Sequence, residues 1–323
     1  MATISEVAKR AGVSVATVSR VINNKGYVHE DTRKSVANAI KQLGYKPNSV
    51  ARSLSQKTSK MICFLIPDIT NPFFPQLVRA VEDVMYPAGY STILFNSDEQ
   101  LEHELEYIEG MTSKYIDGFI IVSNTLKWEH LSALNVPVVA LDRFIDDRIP
   151  SVAVDNYEGA RKALEYMIER GCRNIAHLEG PRHVITSGER KRAYQDVMKE
   201  NNLPITLQQG HYELEKGMVS TMELLESNRS IDAIFAGNDV MAIGALKAAG
   251  KLGIKVPEEV SIMGFDGMEW GTTVLPELTT MQQPIYEIGK KAAEMLLARI
   301  QGLPLEREHY VLKAALEVRK SVR

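Results

Sequence analysis

The sequence predicts a multi-domain chain: an all-α helix-turn-helix head, then an α/β two-lobed body of parallel sheets flanked by helices. Three observations point there. Charge is segregated, because residues 1–60 hold 11 Lys or Arg against three acids on a chain whose net charge is −3, leaving about −11 on the remainder. Capped, short amphipathic helices fill the first 46 residues. From Met61 onward apolar strands alternate with amphipathic helices, more of them than one compact sheet holds, and 323 residues exceed one ordinary domain.

The head begins with Thr3-x-x-Glu6, a capping box, followed by Val7, Ala8 and Ala11 at helical spacing before Gly12. Ser14 caps a second helix with Val18, Val21 and Ile22 on its core side, ending near Asn23 and Asn24. Gly12-Val13-Ser14 is the tight turn between them, with Gly suited to positive φ. A third helix from Glu30 places Val36, Ala39, Ile40 and Leu43 on one face and stops at Gly44. A basic segment of this kind suits a polyanionic partner. After the break Tyr45-Lys46-Pro47-Asn48, Ser49–Gln56 is too short to be a stable helix alone and is expected to act as a hinge whose helix depends on a partner.

In the body, strands are expected at 61–68, 91–98, 117–123, 137–142, 174–180, 233–239 and 261–267. Helices are expected at 74–88, 101–114, 157–171, 190–201, 215–227 and 239–252. In such folds ligands sit beyond the strand carboxyl ends. Asp68, Asn71, Asp98, Ser123, Asp142, Arg143, Asn238, Asp239 and Asp266 fall there, Asp239 chiefly as a helix cap.

Several classes are disfavoured. Cys63 and Cys172 are too few and too far apart for a disulfide scaffold or a metal knuckle. MATISEVAKRAGVS has no apolar signal core and no window reads as a membrane span, so a cytoplasmic protein is expected. The sequence has no G-x-S-x-G, Walker loop, CxxC or HExxH, so no enzyme, cofactor or metal is expected. His103, His130, His177, His183 and His211 lack metal-ligand spacing and are expected in surface or packing roles.

The strings TISEVAKRAGVSVATVSRVINN and LGYKPNSVARSL, ahead of such a body, closely resemble the lactose/galactose repressor (LacI–GalR) family, essentially end to end. The resemblance implies a DNA-binding domain at 1–46, a hinge helix and linker at 47–60, and a periplasmic-binding-protein-like effector and dimerisation domain at 61–323. Its first lobe is expected at about 61–157 and 285–318, its second at about 158–284. The second helix would enter the major groove of double-stranded operator DNA. Val15 and Ala16 suit a thymine methyl, Thr17 and Arg20 suit base or phosphate contact, and Arg20 can take guanine bidentately. Thr3, Ser5, Ser14, Ser19 and Asn23 can position the fold on phosphates. In the family a hinge leucine wedges a base step in the minor groove. Leu54 occupies that position, with Asn48, Ala51 and Arg52 completing the expected set.

Body strings narrow the resemblance towards ribose-binding members: Asn71-Pro72-Phe73-Phe74, Leu141-Asp142-Arg143, Glu189-Arg190 beginning a helix, Gly237-Asn238-Asp239, Gly264-Phe265-Asp266-Gly267 and Thr280-Met281-Gln282-Gln283-Pro284. The chemistry suits a sugar. Phe73 and Phe74 can stack on C–H faces; Asp142, Asp266 and Gln283 accept from hydroxyls; Arg143, Arg190 and Asn238 donate. Tyr212 stands where such relatives usually place Phe, and its hydroxyl allows a larger ligand. Paired carboxylates near a sugar also suggest glycoside hydrolysis, but the two arginines beside them favour binding.

The implied function is a repressor of a sugar-utilisation operon, with a small sugar, ribose foremost, closing the cleft and weakening operator binding. A homodimer on a pseudo-palindromic operator is expected, since no heptads follow the last strand-like segment. Sucrose, fructose or a sugar phosphate as effector, control by a phosphorylated partner protein, and a sugar-binding carrier without gene regulation are the alternatives.

Overall fold

The computed structural model describes residues 2–24, 26–45 and 58–323. They fall into two compact units, Met1–Ser59 and Lys60–Arg323. Most of the expected hinge, including Asn48, Ala51, Arg52 and Leu54, lies outside the described residues.

In the head, α1 (Ile4–Ala11) carries the full capping box: Thr3 accepts from the Glu6 amide while the Glu6 carboxylate accepts from the Thr3 amide at 2.7 Å. Those bonds hold the Glu6 carboxyl below its usual range. Gly12 closes the helix at φ 68°, the left-handed geometry for which the turn needs glycine. Ser14 caps α2 (Val15–Ile22) through the Thr17 amide at 3.1 Å, and α3 (Glu30–Leu43) ends on left-handed Gly44. The core is Val7, Ala8, Val18, Val36 and Ala39, with Val21, Ile22 and Ile40 packed against it. Leu43 departs from expectation. It is 36% exposed, because the last turn of α3 runs past this small core.

The body holds two six-stranded sheets. β1 (Met61–Ile66), β2 (Ser91–Asn96), β3 (Gly118–Ile121), β4 (Val138–Leu141) and β5 (Ser151–Val154) build the first. β6 (Ile175–Glu179), β7 (Thr206–Gln209), β8 (Ala233–Ala236), β9 (Ser261–Asp266) and β10 (Thr279–Gln282) build the second. The chain then returns β11 (His309–Leu312) to the first sheet and β12 (Ala315–Glu317) to the second. Strand order is β11-β5-β4-β3-β1-β2 and β12-β10-β9-β8-β6-β7. The pairings are parallel except β12 against β10, which is antiparallel. Fully buried runs such as CFLI in β1 and AIFA in β8 are what a sheet covered on both faces demands.

The covering helices are α4 (Phe73–Met85), α5 (Leu101–Thr112), α6 (Trp128–Leu131), α7 (Asn156–Glu169), α8 (Ile185–Glu200), α9 (Leu214–Ser227), α10 (Asp239–Leu252) and α11 (Ile285–Ile300). α11 packs on α4 in the first lobe, and α7 packs on α8 in the second. Two expectations are corrected here. The stretch 285–318 does not stay with the first lobe, since β12 pairs into the second sheet and the chain passes between lobes a third time. α8 begins at Ile185, not near 190; its opening ITSG holds weak helix formers and Val184 offers no side-chain cap, which hides the start in the sequence.

Candidate functional site

The segments that follow β1, β2, β4, β6, β7, β8 and β10, with the end of β9, meet around one cavity of about 400 Å³ between the lobes. That is near the lower end of the range for small-ligand pockets, roughly 300–1,000 Å³. The first lobe contributes Asp68 and Asn71 after β1, Phe73 and Phe74 opening α4, Asp98 and Glu99 after β2, and Asp142 and Arg143 after β4. The second contributes Arg190 on α8, His211, Tyr212 and Glu213 after β7, Asn238 after β8, Asp266 ending β9, and Gln283 after β10. All ten residues anticipated from the sequence for an effector, Asn71, Phe73, Phe74, Asp142, Arg143, Arg190, Tyr212, Asn238, Asp266 and Gln283, line this cavity.

Their settings differ. Asn71 accepts from the Phe73 amide at 3.1 Å and so starts α4, holding Phe73 and Phe74 edge to face with centroids 5.3 Å apart. Both rings belong to the core and to the cavity wall at once. Asp142 has φ 65° and Asp266 φ 122°, unusual for residues with a Cβ, and such strain concentrates where side chains must be aimed.

The charges are buried and interlocked. Arg190 donates through Nε to Asn156 at 2.9 Å and through Nη1 to the Gly237 carbonyl. It lies 3.5 Å from Asp266 Oδ1 and stacks 3.8 Å over the Phe265 ring. Gln283 Nε2 donates to the same Asp266 oxygen at 2.7 Å. Arg143 reaches Glu99 at 2.6 Å and Asp142 at 3.5 Å. Burial pushes the Asp142 and Asp266 carboxyls up, and the neighbouring arginines oppose it. Burial also resists ionisation of Glu99, but Arg143 and His183 outweigh it and hold that carboxyl below its usual range.

Four polar atoms in this wall have no hydrogen-bond partner among the described residues: the donors Asn238 Nδ2 and Arg143 Nε, the acceptor Gln283 Oε1, and the Tyr212 hydroxyl, which can do either. Buried polar atoms left unpaired cost free energy, about 1–3 kcal/mol each, which a ligand bearing both donors and acceptors removes. Tyr212 sits at φ 61° with its ring against Gly180, where a Cβ would stand 2.3 Å from the ring; glycine makes room for the aromatic wall.

Asp239 is not the helix cap expected of it. Asn238 fills that role, its Oδ1 accepting from the Met241 amide at 2.9 Å. Asp239 lies behind the cavity and accepts from Met268 N at 2.7 Å and from Thr280 Oγ1 at 2.6 Å. Burial, then the charge of Asp266, pushes its carboxyl up. Ser123 turns inward too, donating at 2.9 Å to the buried carboxylate of Glu104. His183 and His211, expected in surface or packing roles, line the cavity, and His183 contacts Glu99. Glu99 and Thr186 carry no motif and are recognisable only once the chain is folded.

In the head, Thr3, Ser5, Ser14, Val15, Ala16 and Arg20 are exposed, and Thr17, Ser19 and Asn23 are half-buried. Thr3 and Ser14 serve as caps, and Asn23 donates to Ser19 Oγ at 3.2 Å. The result is a short helix offering small side chains and one guanidinium to solvent, the geometry a major groove accepts.

A capped helix-turn-helix joined to a two-lobed cleft defines a regulator that binds DNA and senses a small molecule. Residues 3–48 match the lacI family of bacterial regulatory proteins, and residues 59–313 match the periplasmic binding proteins and sugar binding domain of the LacI family. The chain belongs to the LacI family: it is a sugar-responsive DNA-binding repressor and not an enzyme. It is 44% identical over 323 residues to the ribose operon repressor of Halalkalibacterium halodurans, covering 100% of this chain and 98% of the relative. Its fold is similar to the Lac repressor dimer bound to operator and the anti-inducer ONPF, with TM-score 0.89 at 27% identity over 99% of each chain. It is also similar to a LacI family transcriptional regulator from Enterococcus faecium with bound ribose, with TM-score 0.75 at 30% identity over 81% of this chain and 98% of that one. Among the described residues no helix is long and apolar enough to cross a membrane.

Proposed function

We propose that this chain is a cytoplasmic homodimeric repressor whose effector is ribose, and that ribose closes the cleft and weakens binding to a pseudo-palindromic operator. One observation carries the reading: nine residues of six separate sequence strings, together with Tyr212, converge on one small cavity, with two aromatic rings on one wall and balanced Arg and Asp side chains around it. The ribose-bound relative and the ribose operon repressor support the same sugar. Phe73 and Phe74 take its C–H faces, and Asp142, Asp266 and Gln283 accept its hydroxyl protons. Arg143, Arg190 and Asn238 donate, and Asn71 and Tyr212 complete the wall.

In the head, Val15, Ala16, Thr17 and Arg20 meet base edges or adjacent phosphates, while Thr3, Ser5, Ser14, Ser19 and Asn23 fix the register on the backbone. Leu54, with Asn48, Ala51 and Arg52, serves the minor groove. Coupling follows from thermodynamic linkage. If sugar favours a closed form that holds operator less well, operator must disfavour sugar by the same factor, about 5- to 150-fold in systems of this kind.

Calorimetric titration with ribose, paired with fluorescence anisotropy on operator DNA with and without it, tests this. Ribose should bind and should raise the operator Kd. Binding of sucrose or fructose with ribose inert refutes the ribose assignment. Tighter operator binding with ribose reverses the sign, and operator binding indifferent to every sugar leaves control to a phosphorylated partner protein.

A further inference from the structure

Two first-lobe side chains outside the expected set reach across the cleft. Glu99 follows β2 on a turn in which Asp98 and Glu99 both take left-handed φ, 52° and 55°. This geometry aims its carboxylate inward. One oxygen accepts from Arg143 at 2.6 Å and from Asn124 Nδ2 at 2.9 Å. The other meets His183 of the second lobe.

Asn124, after β3, uses its remaining oxygen on the second lobe as well, accepting from the Ile185 amide at 3.1 Å. That amide is the first of α8, a helix whose own N-cap, Val184, has no side-chain bond to give. The first lobe therefore supplies the cap that the second-lobe helix lacks, and α8 is the helix that carries Arg190 into the cavity.

We propose that Asn124 and Glu99 form a clasp between the lobes that positions both effector-site arginines: Glu99 through Arg143, and Asn124 through the start of the Arg190 helix. Lobe opening would part both cross-cleft contacts, so the clasp favours the closed cleft without itself being required to touch sugar. Glu99 and Asn124 are hydrogen-bonded to each other, so their contributions are coupled.

The proposal rests on the ribose reading, and the test separates the two. In the full-length protein, Asn124→Ala should weaken ribose affinity about tenfold, within the span typical of a lost helix cap, with the loss mainly in faster dissociation. Glu99→Ala should do the same, and the double variant should lose less than the product of the two. Operator affinity without ribose should hold or tighten, since losing the clasp favours the open cleft. Wild-type protein that binds no ribose sinks the effector assignment but not the clasp, which is read separately by hydrogen exchange at the Ile185 amide. That amide should exchange faster in Asn124→Ala than in wild type. Equal exchange in the two proteins, with and without ribose, or single losses that multiply independently in the double variant, overturns the clasp.

Discussion

The recognition helix of the head and the cleft of the body solve binding in opposite ways. In the head the candidate contacts are mostly exposed, small and uncharged, and the helix needs only its Ser14 cap and the Val18 anchor to exist. No residue of that helix takes a left-handed backbone angle, and the binding energy arises on contact with DNA. In the cleft most of the candidate contacts are buried, all but Asn71 and Tyr212. Arg143 and Arg190 are about 5% exposed, their partner carboxylates lie beside them, and Asp142 and Asp266 hold unusual backbone angles. That site is organised at a cost in stability and returns the cost when a sugar fills it. The difference teaches where each mutation should act: variants of exposed head contacts that cap no helix, such as Arg20, change DNA affinity alone, whereas cleft variants perturb both folding and binding.

Arg190→Ala should break this contrast most visibly. Losing the guanidinium leaves Asp266 buried without its cation, an effect of about 3–5 kcal/mol when one partner of a buried pair is removed. Ribose affinity should fall by at least a hundredfold in calorimetry and the melting temperature should drop, with operator binding retained but no longer responsive to ribose. Affinity within tenfold of wild type would remove Arg190 from the site. Arg20→Ala should act on the other side only. Specific operator binding should weaken by about 1–3 kcal/mol, measured by anisotropy against random DNA at fixed salt, with ribose affinity unchanged. Equal loss on both DNAs would make Arg20 a phosphate contact. The smallest effect belongs to Ser14→Ala, which removes the α2 cap and should cost about 1 kcal/mol locally. Faster amide exchange confined to residues 15–22 is the expected sign; unchanged exchange would mean the cap bond contributes nothing.

Several cleft residues are legible in the sequence because they follow a strongly apolar strand, and parallel sheets place such positions together whatever the loops do. Arg143 after VVAL and Asn238 after AIFA are found this way. Among the strands not expected from the sequence, β7 and β10 lack that signal. β7 is an edge strand reading TLQQ, with no residue fully buried, and β10 buries Thr279 and Thr280 where an apolar pair would announce a core strand. β12 is a three-residue edge strand. Glu99 and Asn124 escape for another reason. Each is an ordinary polar loop residue whose meaning comes from the opposite lobe, many positions away in the chain. His183 reads as a surface or packing residue because a lone histidine carries no spacing to argue from. It is 60% exposed and still contacts Glu99 across the cleft. Leu43 fails in the opposite sense, since helical periodicity continues one turn beyond the core it describes.

The late return of β11 and β12 has a consequence for biosynthesis. The first sheet cannot gain its outer strand beside β5 until residue 312 has been made, and the second awaits residue 317. Pairings between positions so distant in sequence slow folding, because the intervening chain must be ordered before the contact repays it. A ribosome pausing inside α11 would hold two incomplete sheets with open edges, and the body can reach its working form only once residue 317 has been made.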